Sequence, residues 1–253
     1  MLSKNKIKLI RSLDNKKQRI ETGLFVAEGN KLVADILPFF DCELLVATPS
    51  WMAMQGDLQV RELIVADDND ISRASLLKNP QDVIAVFIQP KRCMNKESFT
   101  DELTLVLDGI QDPGNLGTII RLADWFGIRN VICSPDTADV YNPKTVQATM
   151  GSIAHVDVFY EFLPGLLDEL KGMPVYGTFL SGKILYEEKL NSTGLIVVGN
   201  EGNGIRPEVE QRISHRLYIP NFPQGTESTE SLNVAVATAI VCGEFRRQEV
   251  YAG

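Results

Sequence analysis

Short apolar segments alternate with helical segments along the second half of the chain, and this alternation limits the fold more than any other feature. Six segments have the length and apolar character of buried strands: 103–108, 130–134, 155–160, 175–180, 195–198 and 217–219. Helices are predicted between and after them at 116–127, 143–150, 163–171 and 231–248. Strands that alternate with helices in this way predict an α/β fold with a parallel sheet covered on both faces.

The first 90 residues show a smaller α/β pattern. We predict a helix at 3–19, a strand that continues as a helix at 25–37, and strands at 42–48, 60–66 and 83–89. The polar residues 93–102 lack periodicity and are interpreted as a linker. The predicted division is a first domain over residues 1–92, this linker, and a second domain over residues 103–253.

The composition argues against several kinds of protein. With 253 residues and 44% hydrophobic content the chain can form a sizeable core, and no apolar run approaches the length of a membrane span. The basic N-terminus lacks the apolar stretch of a secretory signal, although a mitochondrial transit segment stays open as an alternative. Scattered cysteines and isolated histidines predict neither disulfides nor a metal site. These residues are Cys42, Cys93, Cys133, Cys242, His155 and His215. We therefore expect a cytoplasmic protein without membrane contact.

Charge is distributed unevenly along the chain. The net charge of −8 argues mildly against a nucleic-acid partner. Residues 1–20, however, carry seven basic residues and one acid: Lys4, Lys6, Lys8, Arg11, Lys16, Lys17, Arg19 and Asp14. Such a basic arm suits contact with an RNA backbone, and a solvated amphipathic helix explains it equally well.

Polar residues of the second domain concentrate in three segments, of which the first is the helix that follows strand 103–108. Its apolar face is predicted from Leu116, Ile119, Ile120, Ala123 and Gly127. At 100° per residue, Arg121 points away from this face, where it could meet a phosphate or a second subunit; an ordinary exposed arginine is the alternative. Asn115 is either a site residue or a cap of the helix.

The second segment, GNEGNGI at 199–205, follows an apolar strand and contains three glycines. Their spacing matches neither a Rossmann fingerprint nor a phosphate loop. Because glycines let a ligand lie directly against the backbone, the segment is predicted to be a binding loop. Glu201 is a candidate site residue, and stabilisation of a helix start is its alternative role.

The third segment leads into the final helix. Ser231 is a candidate site residue and, alternatively, the N-cap of this helix, and Ser228 lies close enough to compete with it. The helix is apolar on nearly every side, so protein must cover almost all of it. A subunit interface would bury it more easily than one domain would, which indicates a dimer.

Taken together, the three segments resemble the motifs of a known family. NLGTIIRLADWFGI, GNEGNGI and IP…SLNVAVATAI are similar in order and spacing to the three motifs of the SpoU (TrmH) family of RNA ribose 2′-O-methyltransferases, in the SPOUT superfamily. The resemblance covers residues 103–249. Residues 1–90 resemble the L30e-like substrate-binding domain of the family through FVAEGNKLVADIL and NPQDVIAVF. One departure is the long segment 219–231, with Asn221 where methionine is usual.

The resemblance implies an enzyme that transfers a methyl group from S-adenosylmethionine to a ribose 2′-hydroxyl of structured RNA. It also implies a deep C-terminal trefoil knot and a homodimer joined through the knotted domain. The catalytic candidates carried over by motif are Asn115, Arg121, Glu201, Ser231 and Asn233. The cofactor-binding candidates are Thr178, Gly199, Asn200, Gly202, Ile219 and Leu232.

Ribosomal RNA is expected as the substrate before transfer RNA, because an L30e-like domain is common in family members that act on ribosomal RNA. Arg121 is either the base or, as suits a guanidinium better, a binder of the phosphate and hydroxyl. Two other readings are a non-catalytic RNA-binding relative that keeps the fold and a mononucleotide-binding α/β protein. The lack of a phosphate loop disfavours the last of these.

Overall fold

The computed structural model describes residues 1–223 and 231–251, and its contacts divide the chain into two compact units. The N-terminal unit comprises Met1–Arg92 and Asp139–Ala154, and the C-terminal unit contains residues 93–138 and the chain from residue 155 onward. The sequence-based division placed segment 139–154 in the second domain, whereas in the structure it packs with the N-terminal unit. Within the predicted linker, Phe99 is buried in the core of the C-terminal unit.

The N-terminal unit contains a four-stranded sheet. Its first elements are α1 (Lys4–Ser12), α2 (Lys16–Thr22), β1 (Leu24–Glu28), α3 (Asn30–Ile36), β2 (Cys42–Ala47), α4 (Pro49–Met52), β3 (Leu63–Val65), α5 (Asp68–Ala74) and β4 (Val83–Ile88). The strand order in the sheet is β1-β4-β2-β3. Strand β4 is antiparallel to β1 and β2, and β3 is parallel to β2. The predicted strands, and the strand-then-helix over residues 25–37, are confirmed.

The single helix predicted over residues 3–19 is wrong, because the chain forms α1 and α2 with a break between them. The side chain of Asn15 accepts a hydrogen bond from Lys17 N at 2.8 Å and so caps α2. Ile10 in α1 and Leu13 directly after it are nevertheless fully buried. A local cap thus interrupts a helix that periodicity alone would continue.

Part of the basic N-terminal segment is structural. Arg19 is only 1% exposed, and its guanidinium donates to Asp139 Oδ2 at 2.6 and 2.9 Å and to the carbonyl oxygen of Leu13. Arg11 donates to backbone carbonyls near the end of α5, and Lys6 pairs with Glu62. A buried guanidinium is tolerated only where hydrogen bonds and an opposite charge replace the water that it loses. These three side chains therefore help to hold the N-terminal unit together.

The second half of the chain supplies a seven-stranded sheet to the C-terminal unit. Its elements are β5 (Leu103–Asp108), α6 (Pro113–Trp125), β6 (Asn130–Cys133), α7 (Pro143–Thr149, in the N-terminal unit), β7 (Asp157–Tyr160), α8 (Leu163–Glu169), β8 (Val175–Phe179), β9 (Lys183–Ile184), β10 (Gly194–Gly199), α9 (Pro207–Glu210), β11 (His215–Tyr218) and α10 (Val234–Tyr251). The strand order is β7-β6-β5-β10-β8-β11-β9, and every pair is parallel. The predicted α/β fold with a parallel sheet is confirmed. The two-residue strand β9 was too short to predict.

The centre of this sheet is formed by β5 and β10, whose residues are all buried. Strand β10 lies between β5 and β8, and β11 follows β8. Because these strands are parallel, their carboxyl ends meet at one edge of the sheet, where open α/β sheets bind ligands. All three polar segments of the sequence follow strands that end at this edge.

The final helix begins later than predicted, at Val234 and not at Ser231, and continues to Tyr251. It is covered on one side, where Val241, Cys242 and Phe245 are buried. Val236 and Val250 on other sides are 49% and 64% exposed. Within the described part of the chain, no helix is long and apolar enough to cross a membrane.

Candidate active site

Side chains from the three polar segments are joined by hydrogen bonds at the carboxyl edge of the sheet. Asn233 Nδ2 donates to Asn115 Oδ1 at 3.1 Å, and Asn115 Nδ2 donates to Glu201 Oε1 at 2.7 Å. These three residues are separated by up to 118 positions in the chain. We call this chain of two hydrogen bonds the Asn233–Asn115–Glu201 relay. Its asparagine amides fix the position of the Glu201 carboxylate.

Local capping leaves the relay side chains free to reach one another. Asp112 Oδ1 accepts from Asn115 N at 2.9 Å and caps α6, so the alternative role of Asn115 as the cap is wrong. Asn233 Oδ1 accepts from the backbone N–H groups of Ala235 and Val236 at 2.9 and 3.3 Å. Asn233 therefore caps α10 with its oxygen, and its Nδ2 is available for Asn115. The alternative that Ser231 caps this helix is also wrong.

The loop after β10 is shaped mainly by Asn200. Its side-chain oxygen accepts from Gly202 N at 2.9 Å and Asn203 N at 3.1 Å, and its Nδ2 donates to the carbonyl oxygen of Gly109 at 2.7 Å. Its backbone exchanges two hydrogen bonds with Gly204. Glu201 lies in this turn and does not begin a helix, so its alternative role at a helix start is wrong. Asn200 thus builds the loop that presents Glu201.

A buried carboxylate anchors the far end of the same loop. Asp108, the last residue of β5, is 1% exposed and accepts from Arg206 N at 2.8 Å and Arg206 Nε at 2.7 Å. The hydrogen bond to Asp108 raises the pKa of the Arg206 guanidinium. A hydrogen bond from Ser134 lowers the pKa of the nearby Asp136 carboxyl, and the charge of Arg206 lowers it further. The loop over residues 199–206 is therefore held at both ends.

A cavity of about 680 Å³ opens where β8, β10 and β11 end. All six cofactor-binding candidates line it, together with two catalytic candidates: Thr178, Gly199, Asn200, Gly202, Ile219, Leu232, Glu201 and Ser231. Its volume lies in the range of small-molecule sites. The lining also includes Phe179, Leu180, Arg216 and Tyr218, which the sequence-based prediction missed. Phe179, Leu180 and Tyr218 lie toward the ends of two predicted strands, which was the signal that could have found them. Arg216 precedes the second predicted strand and gave no such signal.

The structure leaves Arg121 outside this cavity. Arg121 is exposed on α6, on the side opposite the buried Leu116, Ile119 and Ile120, as the helical spacing predicted. Within the described residues it makes no hydrogen bond or ion pair. Its side chain is thus available to a substrate or a second subunit. Ser228, the competitor of Ser231, lies outside the described residues.

No group of three or more His, Cys, Asp or Glu residues in the described ranges could hold a metal ion. The thiols of Cys133 and Cys242 are buried, and burial raises the pKa of the Cys242 thiol to about 12. Both therefore stay protonated at neutral pH and are poor nucleophiles. The polar groups at the edge of the sheet are amides, hydroxyls, a carboxylate and arginines.

Comparison with known proteins identifies the family. The model of the SpoU rRNA Methylase family matches residues 102–243, a range that contains all three polar segments. The chain belongs to this family. A second model, the MRM3-like substrate binding domain, matches residues 4–85.

Three relatives of this SpoU-family chain match it over nearly its whole length. The 23S rRNA (guanosine(2553)-2′-O)-methyltransferase RlmP of Bacillus subtilis (strain 168) is 35% identical over 95% of this chain and 96% of its own. A solved TrmH-family protein from Porphyromonas gingivalis is 44% identical, with a TM-score of 0.88 over 98% of this chain and 99% of its own. The AdoMet-bound rRNA methyltransferase from Sinorhizobium meliloti is 32% identical, with a TM-score of 0.82 over 98% of this chain and 96% of its own.

Proposed function

We propose that this SpoU-family protein transfers a methyl group from S-adenosylmethionine to a ribose 2′-hydroxyl of ribosomal RNA. The observation that carries the proposal is the Asn233–Asn115–Glu201 relay, which joins all three family motifs beside the cavity. Two relatives support the substrate and cofactor classes: RlmP of Bacillus subtilis is named a 23S rRNA 2′-O-methyltransferase, and the Sinorhizobium meliloti enzyme was solved with AdoMet.

The cavity suits this cofactor better than it suits a nucleotide phosphate. Backbone of Gly199, Gly202 and Gly204 faces it without side-chain obstruction, and Leu180 and Leu232 add apolar surface. Within its described lining, Arg216 is the one lysine or arginine. S-adenosylmethionine carries no phosphate and needs no basic cluster, whereas a nucleoside triphosphate would. The mononucleotide alternative is therefore disfavoured.

Each catalytic candidate has a role that its position permits. When bound, the cofactor supplies an electrophilic methyl group on a sulfonium. The attacking hydroxyl is a weak nucleophile that must lose its proton near the transition state; beside the exposed Arg121 that proton would pass to solvent water. A guanidinium keeps its proton in proteins, so we assign Arg121 to binding the phosphate beside the target ribose and to polarising the hydroxyl. Glu201, held by Asn115 and Asn233, orients the cofactor and nucleotide together with Ser231, which reduces the reorganisation needed for reaction.

The proposal is tested by binding and transfer measurements on the full chain. Calorimetry with S-adenosylmethionine should show binding at micromolar to millimolar concentration. Incubation with isotope-labelled cofactor and unmodified ribosomal RNA should then label the RNA at a 2′-oxygen, and mapping of 2′-O-methyl sites in cells with and without the protein should identify the nucleotide. Labelling of transfer RNA alone would reassign the substrate. Absence of cofactor binding at millimolar concentration would instead support a non-catalytic RNA-binding relative.

We also propose the knotted, dimeric form implied by the family, and a cytoplasmic location where ribosomal RNA is encountered. An exposed apolar surface on packed helices supports the dimer: Trp125 on α6 is 83% exposed, and Val236 and Val250 on α10 are about half exposed or more. Exposure of large apolar side chains on neighbouring helices is typical of a subunit interface. The trefoil knot would place the backbone of several loops around one cavity.

Trp125→Glu is expected to convert the dimer to a monomer, because a charge would be buried within the proposed interface. Sedimentation velocity at micromolar protein concentration measures the change. Phe162→Glu is the matched control, since Phe162 is a similarly exposed aromatic residue, 69% exposed, at the start of α8. A Trp125→Glu variant that sediments like the wild type would remove this surface from the interface.

The basic N-terminal segment is tested by substitution. Deleting residues 1–20 would remove buried Ile10, Leu13 and Arg19 from the N-terminal unit and would test folding instead. Lys4, Lys8 and Lys16 are exposed and have no partner among the described residues. Affinity for RNA falls as salt rises, so a plot of log affinity against log salt has a negative slope. Replacing these three lysines by glutamine is expected to make that slope shallower by about one per lost phosphate contact.

The matched control for the salt measurement replaces three exposed basic residues of the C-terminal unit, Lys171, Lys189 and Arg129, by glutamine. Both triple variants remove the same formal charge. Equal slopes for the two variants would show that only net charge matters and that the N-terminal lysines do not contact phosphates.

A further inference from the structure

Arg216 and Glu210 form a charged pair in the wall of the cavity that no catalytic or cofactor-binding assignment above uses. Arg216 is in β11 and Glu210 is the last residue of α9, and both line the cavity. Arg216 Nη1 donates to Glu210 Oε1. The guanidinium also lies over the ring of Phe179, with Cζ 3.6 Å from the ring centroid. The ring and the carboxylate together fix the plane of the guanidinium.

Both charged groups keep unused hydrogen-bonding capacity. The Arg216 guanidinium has five N–H donors. One of them donates to Glu210, and the other four make no hydrogen bond to a described residue. The second carboxylate oxygen of Glu210 likewise has no partner in the described ranges. The two side chains are 43% and 38% exposed, so a ligand in the cavity can reach them. The pair thus presents a cation and an anion side by side.

We propose that this Arg216–Glu210 pair is the subsite for the amino-acid end of the cofactor, with the guanidinium on the carboxylate and the Glu210 carboxylate on the ammonium. The inference rests on the proposed function and adds a subsite to it. The sulfonium of S-adenosylmethionine carries a methyl group, an adenosyl group and an amino-acid chain. Of these substituents, the amino-acid chain alone carries charge at neutral pH.

The remaining lining matches the other two substituents. The methyl group must face the relay and Arg121, where the ribose hydroxyl would approach. Adenine is uncharged and fits the apolar side chains and open backbone groups, such as those of Leu180, Ile219 and Leu232. A carboxylate needs a cation or several N–H donors in place of water. Arg216 is the one cation among the described lining residues, so the zwitterion is assigned to its side of the cavity.

The test compares two uncharged-sulfur ligands that differ only at this end. S-adenosylhomocysteine carries the amino-acid group, and 5′-methylthioadenosine lacks it. Arg216→Met keeps an aliphatic stem over Phe179 and removes the charge. By calorimetry, this variant should bind S-adenosylhomocysteine about tenfold more weakly. That loss corresponds to the removal of one hydrogen bond between charged groups that are partly exposed to solvent. Its affinity for 5′-methylthioadenosine should stay within about twofold of wild type.

Two further variants keep the result interpretable. Arg216→Lys should recover part of the lost affinity because it restores the charge without the guanidinium fork. Arg129→Ala removes an exposed arginine of the C-terminal unit that does not line the cavity, and it should bind both ligands as wild type does. Thermal unfolding of each variant shows that the fold is retained.

Equal weakening of both ligands in Arg216→Met, or no weakening of either, would overturn the subsite while leaving the proposed function intact. If wild-type protein binds neither ligand, the cofactor assignment itself fails, and the subsite fails with it. The wild-type measurements therefore separate the two failures.

Discussion

Arg121→Ala is expected to reduce methyl transfer by about a thousandfold or more while the protein stays folded, dimeric and able to bind S-adenosylhomocysteine. The size follows from the loss of one preorganised charged donor at a site where charge develops in the transition state. Retention of the fold follows from the structure, because Arg121 is exposed and contacts no described side chain by hydrogen bond or ion pair. Retention of cofactor affinity follows because Arg121 does not line the cavity.

Single-turnover transfer to ribosomal RNA measures the effect, and calorimetry, sedimentation velocity and thermal unfolding measure the three retained properties. Arg129→Ala is the matched control, as another exposed arginine of the same unit. Arg121→Lys separates two roles: a phosphate contact tolerates a lysine in part, whereas bidentate binding of phosphate and hydroxyl does not. Turnover at the wild-type rate in Arg121→Ala would remove this residue from the mechanism.

The C-terminal unit could be predicted well because its apolar residues repeat with a clear period. Leu116, Ile119, Ile120 and Ala123 are all fully buried, as their spacing on one face of α6 required; Gly127, the last member of the predicted face, is exposed beyond the end of the helix. Strands β5 and β10 were found for a similar reason, since continuous apolar runs of this length are typical of the buried centre of a parallel sheet. Periodicity carries this information because burial acts on every residue of a face.

Errors occurred where a distant partner decides the role of a polar residue. Arg19 was counted with the basic arm, although it is buried against Asp139, 120 residues away in sequence. Serine and asparagine both suit the N-cap position, so the sequence alone does not choose between Ser231 and Asn233. The structure shows that Asn233 caps α10 with its side-chain oxygen and donates to Asn115 with its side-chain nitrogen, which a serine could not do in the same way. Glu201 resembled a helix-start residue because Asn200 closes a turn that no sequence period reveals. Such roles depend on tertiary contacts and not on local pattern.

The loop that Asn200 builds leaves no room for a side chain on the preceding residue, Gly199. The backbone of Gly199 ends β10 and lies against the other end of the same loop, where Gly204 exchanges two hydrogen bonds with Asn200. A Cβ on residue 199 would lie 2.3 Å from the Gly204 carbonyl carbon and 2.4 Å from Ile205 N. These are backbone atoms, and the loop that carries them is also tied to Asp108 through Arg206. The loop therefore has no simple way to move aside.

Gly199→Ala is accordingly expected to abolish measurable S-adenosylhomocysteine binding and to lower the free energy of unfolding by about 1–3 kcal/mol, the usual cost of overpacking a well-packed site. Calorimetry and denaturant unfolding measure the two effects. Gly202→Ala in the same loop is the control for stability, because a Cβ there would meet only Asn200 Oδ1 at an ordinary 3.5 Å. Wild-type affinity in Gly199→Ala would show that the loop over residues 199–206 does not set the cofactor site. A third outcome is that both alanine variants lose binding and only Gly199→Ala loses stability. Gly202→Ala would then act through direct contact with the ligand, and Gly199→Ala through backbone crowding in the loop.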